Sequence, residues 1–173
     1  MTAGLHPFDG DEAAIVDATR RWLERAVIGL NLCPFAKAVH AKGQIRWAVT
    51  GASDAAELLD ALRQELDRLA RTDPDAIDTT LLIHPRALAD FTDYAFFLRD
   101  AERALRRAGL EGVLQIASFH PDYVFADAAP DDVSNCTNRS PYPMLHLLRE
   151  ASLDRAARSV PVSYTHLRAH ETK

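Results

Sequence analysis

Long apolar runs are absent. No stretch of the 173 residues approaches the roughly 20 consecutive apolar side chains that a membrane-crossing helix requires. The first residues, MTAGLHPFDGDEAA, lack a basic region followed by an apolar run, so they do not read as a secretory signal. Cysteine is scarce: Cys33 and Cys136 are the only two, too few for a disulfide framework, and we expect free thiols in a cytoplasmic protein. Glycine is scarce as well, and no glycine-rich phosphate loop occurs. An excess of positive charge is missing: the formal net charge is −5, with Lys and Arg scattered among acidic neighbours. That balance argues against a general nucleic-acid or anionic-membrane partner. There is no internal repeat or low-complexity tract, and the oligomeric state is not legible.

What is present is hydrophobic periodicity. A helix is expected over 11–30, with Asp9 as its cap and a wide apolar stripe that includes Ile15, Trp22, Leu23 and Val27. It ends before Pro34, and a short helical turn follows. QIRWAVT alternates and reads as a strand over 44–50. Ser53 is positioned to cap a helix carrying Leu58, Leu62, Leu66 and Leu69 at helical spacing. TTLLI reads as a buried strand over 79–83. Asp90 caps a third helix whose inner face holds Tyr94, Phe97, Ala101 and Leu105, closed by Gly109. A third strand is expected over 113–119. A long polar stretch then leads to SPYPMLHLLREASLDRAAR, read as one helix capped by Ser140. Alternation of helix and strand predicts one α/β domain over 9–160. Its sheet is expected to be small and mostly parallel, of three or four strands with flanking helices. A ferredoxin-like α/β sandwich is the alternative.

Two buried strands end in the same dipeptide, His84–Pro85 and His120–Pro121. The carboxyl edge of an open α/β sheet is where ligands bind. His84 and His120 are therefore candidate acid/base residues, with Asp122 to orient one of them. With Cys33 they are also the candidate ligands of a divalent metal, the one cofactor this sequence suggests. Against this stands the plain alternative that each His–Pro only terminates a strand. Asn138, Arg139 and Ser140 precede the last expected helix, whose first amides and dipole attract anions. With Tyr123 they are the candidate contacts to a small anionic ligand. His146 and Glu150, four apart on that helix, form a candidate supporting pair.

The stretches RRWLERAVIGLNLCPFAKAV, TTLLIHP, GLEGVLQIASFHPDYVFA and TNRSPYPMLHLLREAS together resemble the bacterial family catalogued as domain of unknown function 1415. The resemblance implies a cytoplasmic bacterial protein of one small domain. It brings neither an activity nor functional residues. The segment 161–173 is of another kind. His166 and His170 stand at the i, i+4 spacing of a helical metal pair. Yet residues 161–172, PVSYTHLRAHET, resemble translated adaptor DNA of a transposase-based sequencing kit. We therefore expect a non-native tail and no metal pair. The residues together suggest a small-molecule hydrolase or transferase acting on an anionic substrate through a His/Asp/Arg cleft. The alternative is a non-catalytic module that binds a small ligand or a protein. Deleting the segment from Pro161 should leave the thermal midpoint unchanged; a substantial fall would mean that the segment packs on the domain.

Overall fold

A computed structural model describes residues 12–29 and 34–159. Asp9, Cys33 and the segment from Pro161 lie outside the described residues. The chain begins with α1 (Glu12–Trp22), which continues directly into a π-helical stretch, Leu23–Ile28. There follow α2 (Pro34–Ala41), β1 (Ile45–Val49), α3 (Ala55–Arg71), β2 (Thr79–Ile83), α4 (Phe91–Arg107) and β3 (Leu114–Phe119). A 3-10 helix, Val133–Asn138, interrupts the long loop before β4 (Met144–Arg149) and α5 (Glu150–Ser159).

Local chemistry sets most boundaries. The Asp90 carboxylate accepts from the Thr92 and Asp93 amides and starts α4 as its sequence predicts. At α3 the cap is Asp54 rather than Ser53. Asp54 accepts from the Glu57 amide, and the Glu57 carboxylate reaches back to the Ser53 amide and hydroxyl. Gly109 follows α4 at φ 72°, a left-handed position that a side chain would strain.

The sheet is mixed, not mostly parallel. Its order is β1-β2-β4-β3, with β1 and β2 parallel and β4 antiparallel to both of its neighbours. The residues 140–158 do not form one helix: MLHLLR, residues 144–149, is the central strand β4, and only α5 is helical. Leu145 and Leu147 pack into the core under α3 and α4, while Met144 and Leu148 pack into the clusters on the opposite face. A segment buried on both faces carries near-continuous apolar residues, and a leucine-rich run of that kind also satisfies a helical pattern. Tertiary pairing decides between the two.

Helices cover both faces. α3 and α4 bury Leu58, Leu62, Leu66, Phe97 and Leu105 against Leu82, Leu114 and Leu145. α1 and the π-helical stretch cover the other face through Ile15, Leu23 and Val27. Arg149, at the end of β4, is buried and ties the layers together. Its Nη2 donates to the carbonyls of Leu69, Thr72 and Ile77 at 2.8–2.9 Å, closing the end of α3. Asp78, 3.7 Å from Arg149 Nε, accepts from Ser152 of α5. Burial lowers the guanidinium pKa, and Asp78 and Asp73 oppose that shift. Replacing Arg149 with Met leaves three carbonyls without this donor and Asp78 without its neighbouring cation. Chemical denaturation should then show a loss of about 3 kcal/mol; an unchanged midpoint would deny Arg149 this role.

Candidate functional site

β2 and β3 both oppose β4, so they run in the same direction and their carboxyl ends share one edge. The strands are not adjacent: β4 separates them by two strand spacings, roughly 10 Å. Ile83, Met144 and Phe119 form one row across the sheet, and His84 and His120 each follow that row by one residue. Both histidines are 0% exposed. What brings them together is Tyr94 from the first turns of α4. Its ring lies 5.8 Å from the His84 ring and 5.0 Å from the His120 ring. Phe91 adds contacts to Tyr94, His120 and Tyr123 at 6.1, 5.4 and 5.1 Å. The sequence pattern marks Tyr94 as a core position of the helix, but its polar end is not legible there. The hydroxyl donates to the Met144 carbonyl at 2.8 Å and accepts from the Phe119 amide at 3.0 Å. Burial raises its pKa.

The two imidazoles hold the loop between β2 and α4. His84 Nδ1–H donates to the Ala87 carbonyl and His120 Nε2–H donates to the Leu88 carbonyl, each at 3.0 Å. Leu88 is left-handed at φ 59°, which costs a residue with a side chain roughly 1 kcal/mol, and the two adjacent grips keep it there. His120 Nδ1 accepts from the Asp122 amide at 3.0 Å, so both of its nitrogens are engaged. His84 Nε2 is buried and has no partner. Burial holds the His84 pKa down at about 4, the Ala87 bond opposing. Burial lowers that of His120 too, against the Leu88 bond and the Asp122 carboxylate.

The expected anion contacts are differently placed. Ser140 starts no helix; it is buried, and its hydroxyl donates to the Tyr142 carbonyl at 2.7 Å. The helix dipole expected there does not exist, because the following residues enter β4. Arg139 donates from Nε to the Tyr123 carbonyl at 3.1 Å and from Nη2 to the Pro130 carbonyl at 2.7 Å. Asn138 Nδ2 donates to the Ser118 carbonyl at 2.9 Å. Tyr123 packs edge-on and tilted in the aromatic cluster and accepts from the Ser118 hydroxyl at 3.2 Å. Asn135, which has no evident sequence signal, is fully buried and holds the Phe125 amide and the Ala129 carbonyl. The long polar loop is therefore tied down by its own side chains. Asp122 is exposed beside it. Cys136 is free and exposed. Among the described residues no three His, Cys, Asp or Glu side chains gather as metal ligands.

His146 is not paired with Glu150 on a helix. It lies on β4, and its Nε2–H meets the Thr79 hydroxyl at 2.8 Å, whose own proton goes to the Leu147 carbonyl. Burial lowers its pKa to about 4. It borders an apolar cavity of about 40 Å³ beneath α1, with Trp22, Val27, Val39, Leu81 and Phe119. That volume admits a few waters, not a metabolite.

The family model described as a protein of unknown function, DUF1415, matches residues 14–170. The chain belongs to this family. The match includes every residue of the carboxyl-edge cluster and runs into the segment set apart at Pro161. No curated protein and no solved structure matches the chain.

His84 and His146 give the stability a definite pH dependence. Their folded pKa of about 4 lies below the ordinary 6.5, so between these values the unfolded chain binds more protons. Stability is therefore present above pH 6.5 and lost as pH falls towards 4, by up to about 3 kcal/mol for each histidine. Urea unfolding at pH 7 and pH 4.5 should reveal this loss, and His84→Phe with His146→Leu should reduce it. A flat profile in the wild type would contradict the burial of both rings.

Proposed function

We propose that the chain is a binding module for a small molecule, met at the carboxyl edge of β2 and β3 by His84. The observation that carries this reading is the buried His84 Nε2 without a partner. Because Nδ1 donates to Ala87, Nε2 is a lone-pair acceptor, and leaving such an atom unpaired costs roughly 1–3 kcal/mol. A ligand hydroxyl or amide recovers that energy. The edge position and the aromatic walls of Tyr94 and Phe91 suit a small ligand, and the Arg139 guanidinium, though bonded to the Tyr123 and Pro130 carbonyls, puts a positive charge in the adjoining loop that favours an anionic group on it. Entry requires the strained Ala87–Leu88 loop to move.

A hydrolase or transferase is the second reading, favoured by the exposed Asp122 carboxylate, whose field acts on His120. It ranks second because His84, with a pKa of about 4, is a weak base at neutral pH, and His120 has no free nitrogen. A cytoplasmic setting is part of the proposal, as is the absence of any role for nucleic acid.

The test uses a panel of small hydroxy acids and sugar phosphates, read by thermal shift and by the imidazole nitrogen resonances. A binder should raise the midpoint and move the His84 Nε2 resonance, and His84→Phe should abolish both effects. A silent panel, or stabilisation that survives His84→Phe, overturns the reading. Release of inorganic phosphate from a sugar phosphate, lost in Asp122→Asn, would establish the catalytic reading in its place.

A further inference from the structure

β1 is an edge strand, and its outer side carries a row of main-chain groups that nothing among the described residues pairs. The Gln44 carbonyl accepts from the Asp78 amide and the Thr50 amide donates to the Ile83 carbonyl, so the even-numbered residues face β2. Main-chain groups alternate sides along a strand, which directs the amides and carbonyls of Ile45, Trp47 and Val49 outward. Open grooves flank this edge on both faces of the sheet. One, of about 440 Å³, is lined by Arg20, His40, Gly43, Ile45 and Trp47. The other, of about 360 Å³, runs past Glu12, Arg46, Thr50, Gln64 and Glu65, so the basic side of the edge is the groove that holds Arg20. An added strand needs this arrangement: a free backbone edge, with room on both sides for side chains that alternate.

Charge selects the partner. The scatter of positive charge along the chain has one local exception, of which Arg20 and Arg46 line these grooves. Between positions 20 and 46 the chain carries six basic residues, Arg20, Arg21, Arg25, Lys37, Lys42 and Arg46, against one acid, Glu24, although the whole chain is at −5. All but Arg46 are exposed, and Arg46 is already bound to Glu65 through two hydrogen bonds. Arg20 is held with its guanidinium 5.4 Å from the centre of the Trp47 ring and has no carboxylate partner among the described residues. His40 stands edge-on to the same ring at 6.4 Å and is bound to Glu24. A cation stacked on an aromatic ring beside a free strand edge can meet an acidic side chain with little loss of side-chain freedom.

We propose that the outer edge of β1 is a docking site for an extended acidic peptide, which adds as a fifth strand and places a carboxylate on Arg20. This surface is separate from the His84 site and stands or falls independently of it.

The probe is a fluorescein-labelled peptide alternating Val and Glu, followed by anisotropy with the full chain. The peptide should bind, with amide shifts at Ile45, Trp47 and Val49. Arg20→Glu should weaken it by about tenfold or more. Val49→Pro, which removes an outward amide at a position where an edge tolerates proline, should weaken it as well. Both variants are first checked for an unchanged thermal midpoint. The same peptide N-methylated along one edge should fail to bind. Equal binding of the N-methylated peptide overturns the proposal, as does no binding at millimolar peptide. Tighter binding of a short oligothymidylate would make the surface a general polyanion site. Sedimentation as a dimer with shifts confined to β1 would assign the edge to a second copy. Either result also overturns it.

Discussion

The Tyr94 hydroxyl is the joint on which the carboxyl edge depends. It bridges the carbonyl of Met144, the first residue of β4, and the amide of Phe119, the last of β3, and its ring separates the two imidazoles. Without that bridge the row Ile83–Met144–Phe119 would end in unpaired buried groups, which cost more than an ordinary hydrogen bond contributes. α4 is thus anchored to the sheet by a polar contact as well as by Phe97, Ala101 and Leu105.

Inserting β4 between β2 and β3 imposes the second constraint. The chain must leave β3, cross its own end and return antiparallel. The intervening loop meets that demand by satisfying itself: Asn135, Asn138, Arg139 and Ser140 each donate to a loop or strand carbonyl. This economy changes what the polar residues can do. Asn138, Arg139 and Ser140, expected as ligand contacts, are largely committed to holding the backbone, whereas the buried His84 Nε2 at the same edge has no partner. The strained Leu88 lies in the loop between β2 and α4, which the two imidazoles hold through the Ala87 and Leu88 carbonyls.

Much of the fold was legible. The apolar spacing of Leu58, Leu62, Leu66 and Leu69 specified α3, Asp90 specified the start of α4, and TTLLI gave β2 at its observed limits. These features are local: a stripe, a cap and a short apolar run are complete within a few residues. The position of His84 and His120 at one edge was legible too, since both follow strands that run in the same direction. Their company was not. Tyr94 reads as one more core residue, and Asn135 as one more polar residue in a loop.

The sequence by itself determined α3 and α4, the Asp90 cap, the two-faced burial of β2 and the location of both histidines at strand ends. Only the tertiary structure decided that MLHLLR is a central strand. A run apolar on every side suits a helix or a doubly covered strand equally, and the choice is made by hydrogen bonds to β2 and β3, remote in the chain. It likewise decided that Arg139 and Ser140 serve carbonyls, that His146 bonds Thr79, and that β1 is left with an open edge. Each of these depends on which strand lies beside which, and strand order is a property of long-range pairing that no local pattern encodes.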